Sequence, residues 1–407
     1  MRRVVVTGMG VVSSIGNNKE EVLRSLCEGL SGIAFIPEMK ELGYRCQVAG
    51  LVKGFKTQGI GKKPLQTMSD VARYTAAATL EALEDAKVER EALKSRRVGV
   101  VLGTGAGGIN EAARAETWLL SYKRPGRLGA TGVVKMMNST AALNLAAWLG
   151  IKGRCYSVSS ACATGADSIG HGFELIRHGL LDLCISGGAE ESGIRNFWAF
   201  SDAVNASPVD FNDQPEKACR PYDRDRQGMV VSEGAGVLIL EALEHAKSRG
   251  ARVYAEVIGY GSANDGAGVF EPNGQGLKRC IEQALRSAGL NPSRIDYINP
   301  HGAGTRLGDP VEVQIIREVF GEPSPLVSST KGLTGHSHGA AGAHEAIYTL
   351  LMLHHGFVAP TANLEQIAPE CEGIRHVQSL METPLETVMT FNAGLGGANA
   401  CLIFKKF

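Results

Sequence analysis

Two distant stretches of the 407-residue chain repeat one pattern, and that repetition limits the folds open to it. Tyr156 to Gly179 reads YSVSSACATGADSIGHGFELIRHG, and Pro325 to Gly356 reads PLVSSTKGLTGHSHGAAGAHEAIYTLLMLHHG. Each passes from a short apolar strand through Ser-Ser and small residues into a long helix that ends in His-Gly. In the first copy Ala166, Ile169, Phe173, Ile176 and Leu180 fall at helical spacing, with Gly179 as the stop. The surroundings repeat as well. Helix Ser69 to Lys87, strand Val98 to Leu102, the loop GTGAGG and a helix from Ile109 are echoed by helix Gly276 to Ala288, strand Ile295 to Asn299, the loop from His301 to Thr305 and helix Asp309 to Phe320. Copies so far apart do not make a solenoid; the pattern predicts an α/β protein of two βα-rich halves in a layered sheet.

If a pseudo-twofold axis relates the halves, the loops before the matching helices meet at the carboxyl ends of strands, where open α/β sheets place their sites. Those loops carry Cys162, His301, Lys331 and His336. Cys162 falls in the first turn of its predicted helix, where unpaired N–H groups and the positive dipole end favour a thiolate. A cysteine with two histidines suggests a nucleophile served by hydrogen-bond donors or bases. The plainer readings are a core cysteine, two satisfied loop histidines and a solvated Lys331. The position of Lys331, five residues before His336, favours an orienting role. Asp309-Pro310-Val311-Glu312 reads as N-cap, proline at N1 and an acidic N3, which accounts for Glu312 without chemistry.

Other motifs are weaker. Gly8-Met9-Gly10 has Ser13 where a dinucleotide loop needs its third glycine, so Val4 to Thr7 reads as a first strand and no such cofactor is expected. His336-Ser-His338 and His344-Glu345 fit neither zinc-finger nor H-E-x-x-H spacing, so no metal is expected. Asn17 or Asn18 caps a helix Glu20 to Glu28, and residues 189–229, rich in turns and charge, read as a covering segment. With 42 basic and 42 acidic residues, the chain gives no global electrostatic reason to bind nucleic acid or an anionic membrane. Nine scattered cysteines with no C-x-x-C pair suit a reducing cytoplasm. No stretch approaches the roughly 20 apolar residues that cross a bilayer.

SSACATGA, NPHGAGT, STKGLTGHSHGAAG and NAGLGGANA, with VVVTGMGVVSSIGNN and PEKACRPYDRDRQGMV, together resemble the β-ketoacyl-[acyl-carrier-protein] synthases, elongating condensing enzymes of types I and II. The resemblance spans essentially the whole chain. It implies a thiolase-like fold, with halves 1–250 and 251–407 forming a five-layered αβαβα core, and a homodimer or a heterodimer with a related chain. It implies a decarboxylating Claisen condensation with no cofactor beyond the phosphopantetheine of acyl carrier protein. Cys162 would take the acyl chain, and His301 and His336 would hold the malonyl thioester carbonyl. Lys331 and Glu312 would order that network, and the N–H groups of Cys162 and Leu395 would form an oxyanion hole. Lys62, Lys63, Lys123, Arg124 and Arg127 lie in segments resembling the carrier-docking surface. Two departures stand out. Ala303 replaces the first threonine of H-G-T-x-T, leaving Thr305 alone near the pantetheine arm. Ala393, Leu395 and Ala398 stand where the family has two phenylalanines and a threonine, so the gate to the acyl pocket is expected to be wider. Two rival readings are a non-catalytic, chain-length-controlling partner subunit, which would lack the cysteine, and a coenzyme A-dependent thiolase, for which Cys401 lies too far along the chain.

Overall fold

The computed structural model describes residues 1–192 and 197–407. Its main strands are β1 (Val4–Ser13), β2 (Val98–Gly103), β3 (Cys155–Tyr156), β4 (Leu183–Glu190), β5 (Gly234–Ala242), β6 (Ala255–Asn264), β7 (Tyr297–Asn299), β8 (Leu326–Val327), β9 (Arg375–His376), β10 (Thr387–Ala393) and β11 (Ala398–Lys406). They form one sheet in the order β9-β8-β7-β10-β11-β6-β1-β5-β4-β2-β3. The seam is the antiparallel pair β1 and β6, where Val4 faces Val257. Outward from that seam, and leaving aside β9, each half runs first, fifth, fourth, second, third in its own chain order. The pairing senses match too: antiparallel for the two pairs nearest the seam, parallel for the two beyond. The repeat legible in the sequence is therefore a repeat of topology.

The helices that build the layers are α1 (Asp70–Asp85), α2 (Thr140–Leu149), α3 (Thr164–Arg177), α4 (Gln275–Ala288), α5 (Gly308–Phe320) and α6 (Ala341–His355). The two that follow the repeated stretches, α3 and α6, pack on each other and touch strands of both halves. Every residue of α6 from Ala341 to Leu353 is buried, as expected of a helix apolar on all sides. Outside them α1 and α2 cover the first half and α4 the second, with α5 against α4. This gives the five layers αβαβα.

Glycines set the close approaches. A Cβ on Gly8 would lie 2.2 Å from the Ala82 carbonyl oxygen, and one on Gly10 1.9 Å from that of Ala78. The pair lets β1 cross α1, which is why β1 continues past Thr7 to Ser13 and no cofactor loop forms there. Likewise β4 continues through Gly187-Gly188 to Glu190, where a Cβ on Gly188 would lie 2.3 Å from the Gly339 carbonyl oxygen. Asn18, not Asn17, caps the helix Lys19–Glu28, accepting the Glu21 N–H. Leu180 falls beyond the end of α3 and is exposed, off the apolar face assigned to it. In the stretch 189–229, residues 193–196 lie outside the described residues. Elsewhere it is more than a cover, because Arg220, Tyr222, Asp223 and Arg226 are buried beneath it.

Candidate active site

Between β3 and α3 the chain makes a 3₁₀ turn, Ala161–Ala163, so Cys162 sits just ahead of α3 instead of within its first turn. Ala161 has φ of 51°, the left-handed region that costs energy for any residue but glycine. The turn is braced. Thr164 Oγ1 accepts the Ser160 N–H at 2.8 Å, and Ser160 Oγ donates to Asp167 at 2.5 Å. The other Asp167 oxygen accepts the Tyr260 hydroxyl at 2.7 Å, a tie from β6 of the opposite half. Burial pushes the Cys162 thiol up to about 11, against the pull of the Lys331 charge and the Leu395 backbone N–H. The thiolate expected from the helix dipole is thus not the resting form; desolvation outweighs the helix end.

His336 follows the short helix Lys331–Thr334. Its Nε2 lies 3.0 Å from Cys162 Sγ, and its backbone is fixed by N–H donation to the Val230 carbonyl and acceptance from Ser232. The His301 ring stands edge-on to it, centroids 5.0 Å apart at 86°. Burial first, then nearby positive charge including Lys331, holds both imidazoles well below the usual 6.5. Both are neutral at pH 7, and each carries one N–H. A third imidazole, His338, was weighed in the sequence only as part of a His-x-His metal pair and set aside. It is buried with φ of 45°, stacks on Phe197 at 4.2 Å and lies 4.8 Å from the His336 ring.

Lys331 is 1% exposed, which removes the solvated-loop reading. Its Nζ donates to the His301 carbonyl at 2.6 Å and pairs with Glu345, whose second oxygen accepts from Asn392 at 2.6 Å. One ammonium therefore links the His301 loop to α6. Glu312 accepts the Gly302 N–H at 3.1 Å and the Tyr222 hydroxyl. Burial raises it to about 8. The capping assignment for Glu312 is corrected. Helix α5 begins at Gly308 with Leu307 as its cap, and Asp309, inside the helix, accepts N–H groups from Thr305 and Tyr222. Glu312 thus anchors the loop behind His301. Glu345 and Tyr222 were missed, although one acidic residue in an otherwise apolar helix was the available signal for Glu345. Glu190 is another: it accepts from Thr104, Gly105, Ala106 and Gly339, joining the GTGAGG loop to the His336 loop.

Thr305 Oγ1 accepts the Gly308 N–H at 3.0 Å, and Ala303 is buried. The loop after β10 lies against the cysteine turn; a Cβ on Gly394 would be 3.0 Å from Cys162 N. Ala393 and Ala398 are half-buried and Leu395 is exposed. A cavity of about 40 Å³ behind His301 is lined in part by Ala393, Leu277, Val311 and Asn399. Lys62, Lys63, Lys123, Arg124 and Arg127 are exposed, and none joins an ion pair among the described residues. Cys401 is buried within β11 among core residues. All nine cysteines are free, and no helix among the described residues is long and apolar enough to cross a membrane.

A cysteine on a braced turn from one half, facing two neutral imidazoles from the other across a five-layered core, defines a thiolase-like condensing enzyme. Residues 1–246 match the family model for the beta-ketoacyl synthase N-terminal domain and residues 254–365 that for the C-terminal domain. The chain belongs to the beta-ketoacyl synthase family of acyltransferases. It is 45% identical over 408 residues, with all of both chains covered, to 3-oxoacyl-[acyl-carrier-protein] synthase 1 of Haemophilus influenzae. A beta-ketoacyl synthase from Burkholderia phymatum superposes with a TM-score of 0.94 at 35% identity, covering all of both chains. A type II PKS ketosynthase solved with its acyl-carrier protein gives 0.90 at 29%, covering 100% of this chain and 99% of that one.

Proposed function

We propose that the protein catalyses decarboxylating condensation of an acyl chain carried on Cys162 with malonyl-[acyl-carrier-protein], giving the 3-oxoacyl-[acyl-carrier-protein] and CO2. The observation that carries this reading is the 3.0 Å approach of His336 Nε2 to Cys162 Sγ beside a second neutral imidazole. In the Nε2–H tautomer His336 donates to the sulfur. With Lys331 and the Leu395 N–H it favours the thiolate that attacks the incoming thioester, and the carrier's thiol leaves with the proton. The Cys162 and Leu395 N–H groups would receive the tetrahedral oxyanion.

The malonyl thioester then takes the carrier's place. As CO2 leaves, charge builds on the thioester oxygen, and N–H groups from His301 and His336 stabilise that enolate. The carbanion attacks the acyl carbon and expels Cys162. Lys331, bound to the His301 carbonyl, and Glu312, bound to Gly302, position the His301 loop. The test separates the half-reactions. His301→Ala and His336→Ala should still be acylated at Cys162 but lose malonyl decarboxylation by about two to three orders of magnitude. Undiminished decarboxylation in both variants would refute the assignment.

The acyl carrier protein is read as the partner. The relatives named above support this, as do Lys62, Lys63, Lys123, Arg124 and Arg127, five cations in no ion pair among the described residues, which suit an acidic surface. The exposed apolar residues Leu120, Tyr122, Val133, Met136 and Met137 support a dimer. We read the halves as 1–250 and 251–407, the setting as cytoplasmic, and the acceptor as bulky, conjugated or branched, because Ala393, Leu395 and Ala398 leave the gate open. The partner-subunit reading is disfavoured by the presence of Cys162, His301 and His336 together.

A further inference from the structure

The structure assigns a second capacity to the catalytic cleft: Cys162, His336 and His338 form an inhibitory site for a thiophilic divalent cation of the zinc class. The thiol sulfur and one ring nitrogen from each histidine all lie within 4.8 Å of one another, and all three residues are buried. Zinc takes sulfur at about 2.3 Å and imidazole nitrogen at about 2.0–2.1 Å, so the widest pair must close by roughly 1 Å. Side-chain rotation supplies movements of that size.

Three further observations point to a ligand here. Among the described residues His338 Nε2 and His336 Nδ1 are enclosed without a hydrogen-bond partner, a cost that a bound cation relieves at whichever nitrogen it takes. The left-handed backbone of His338 turns its ring back towards that of His336 although only Ser337 separates them. Stacking on Phe197 then limits the freedom that chelation would remove. The sequence missed the site because His-x-His matches no common zinc spacing, and the cysteine comes from the other half of the chain.

Binding is a proton-for-metal exchange. The Cys162 S–H bond breaks, the sulfur bonds the cation, and one proton goes to solvent. The fourth position stays open to water. A metal-bound sulfur cannot be acylated, so the cation acts as a reversible brake and is no resident cofactor.

Cadmium is the spectroscopic probe. Titrated into chelator-dialysed enzyme, it should raise an ultraviolet thiolate-to-metal charge-transfer band that saturates at one equivalent, with one proton released. The same additions should block iodoacetamide labelling of Cys162, and EDTA should restore it. Cys162→Ser should abolish the band, and His338→Leu should weaken binding by at least about tenfold, the low end of what a lost supporting ligand costs. His338→Asn repeats the arm should the leucine variant fail to fold, and a thermal melt of each variant shows which is folded. A band that survives Cys162→Ser, or equal affinity in a folded His338 variant, overturns the proposal.

Discussion

Lys331→Met offers a test in which stability and activity should separate. The wild-type Lys331 is 1% exposed and its partner Glu345 is 2% exposed. Removing Lys331 leaves the Glu345 carboxylate, among the described residues, with the Asn392 N–H at 2.6 Å alone, and leaves the His301 carbonyl without the Lys331 donor. Breaking one side of a buried pair costs about 3–5 kcal/mol, because the remaining charge is uncompensated. In Lys331→Met/Glu345→Gln the stranded charge is gone, and the residual cost is the unpaired carbonyl, roughly 1–3 kcal/mol. The double variant should therefore be the more stable of the two, by about 2 kcal/mol, in urea unfolding. Condensation should stay impaired in both, because neither restores the anchor on the His301 loop. Stability losses that simply add, with a coupling below about 0.5 kcal/mol, would refute the reasoning, as would recovery of activity in the double variant.

The brace on the cysteine turn gives a second prediction. Tyr260→Phe removes one of the two hydroxyls on buried Asp167, a loss of about 1.5–3 kcal/mol for a bond to a charged group. It should slow alkylation of Cys162 and lower kcat more than it raises KM; a change in melting temperature alone would reduce the brace to scaffolding. A third concerns acid. Burial lowers His344 to about 4, so between pH 6.5 and 4 the unfolded chain takes up a proton that the folded chain does not. Stability lent by the neutral His344 is present above that window and lost as pH falls through it. Wild type should lose ground to His344→Gln by up to about 1.4 kcal/mol per pH unit there; unfolding curves with a pH-independent difference would contradict this. Finally, Leu395→Phe should shift acyl preference towards ordinary straight chains, and an unchanged profile across an acyl-carrier-protein panel would argue against the open gate.

The features of the fold and site legible in the sequence were those with short-range signatures. The repeated strand-loop-helix stretches gave the duplicated topology, and glycine-rich turns gave the loops that carry Cys162, His301, Lys331 and His336. What could not be read was whatever depends on burial across the two halves. The helix end at Cys162 argued for a thiolate, but desolvation raises the thiol instead. Glu312 carried a capping signature, yet its carboxylate faces Gly302 and Tyr222, the latter 90 residues away. Glu345, Asp167 and His338 have no motif of their own. They matter through partners that only tertiary structure supplies: Tyr260 for Asp167, Lys331 and Asn392 for Glu345, and Cys162 beside His338.

The central claim is that Cys162 carries the acyl chain and passes it to a decarboxylated malonyl group. The most direct measurement is mass spectrometry of the enzyme after incubation with acyl-[acyl-carrier-protein] alone, followed by a chase with malonyl-[acyl-carrier-protein]. One acyl group should appear on the peptide containing Cys162, then vanish as 3-oxoacyl product and CO2 form in equal amounts. An acyl group found on another residue, or product made at the wild-type rate by Cys162→Ala, would contradict it.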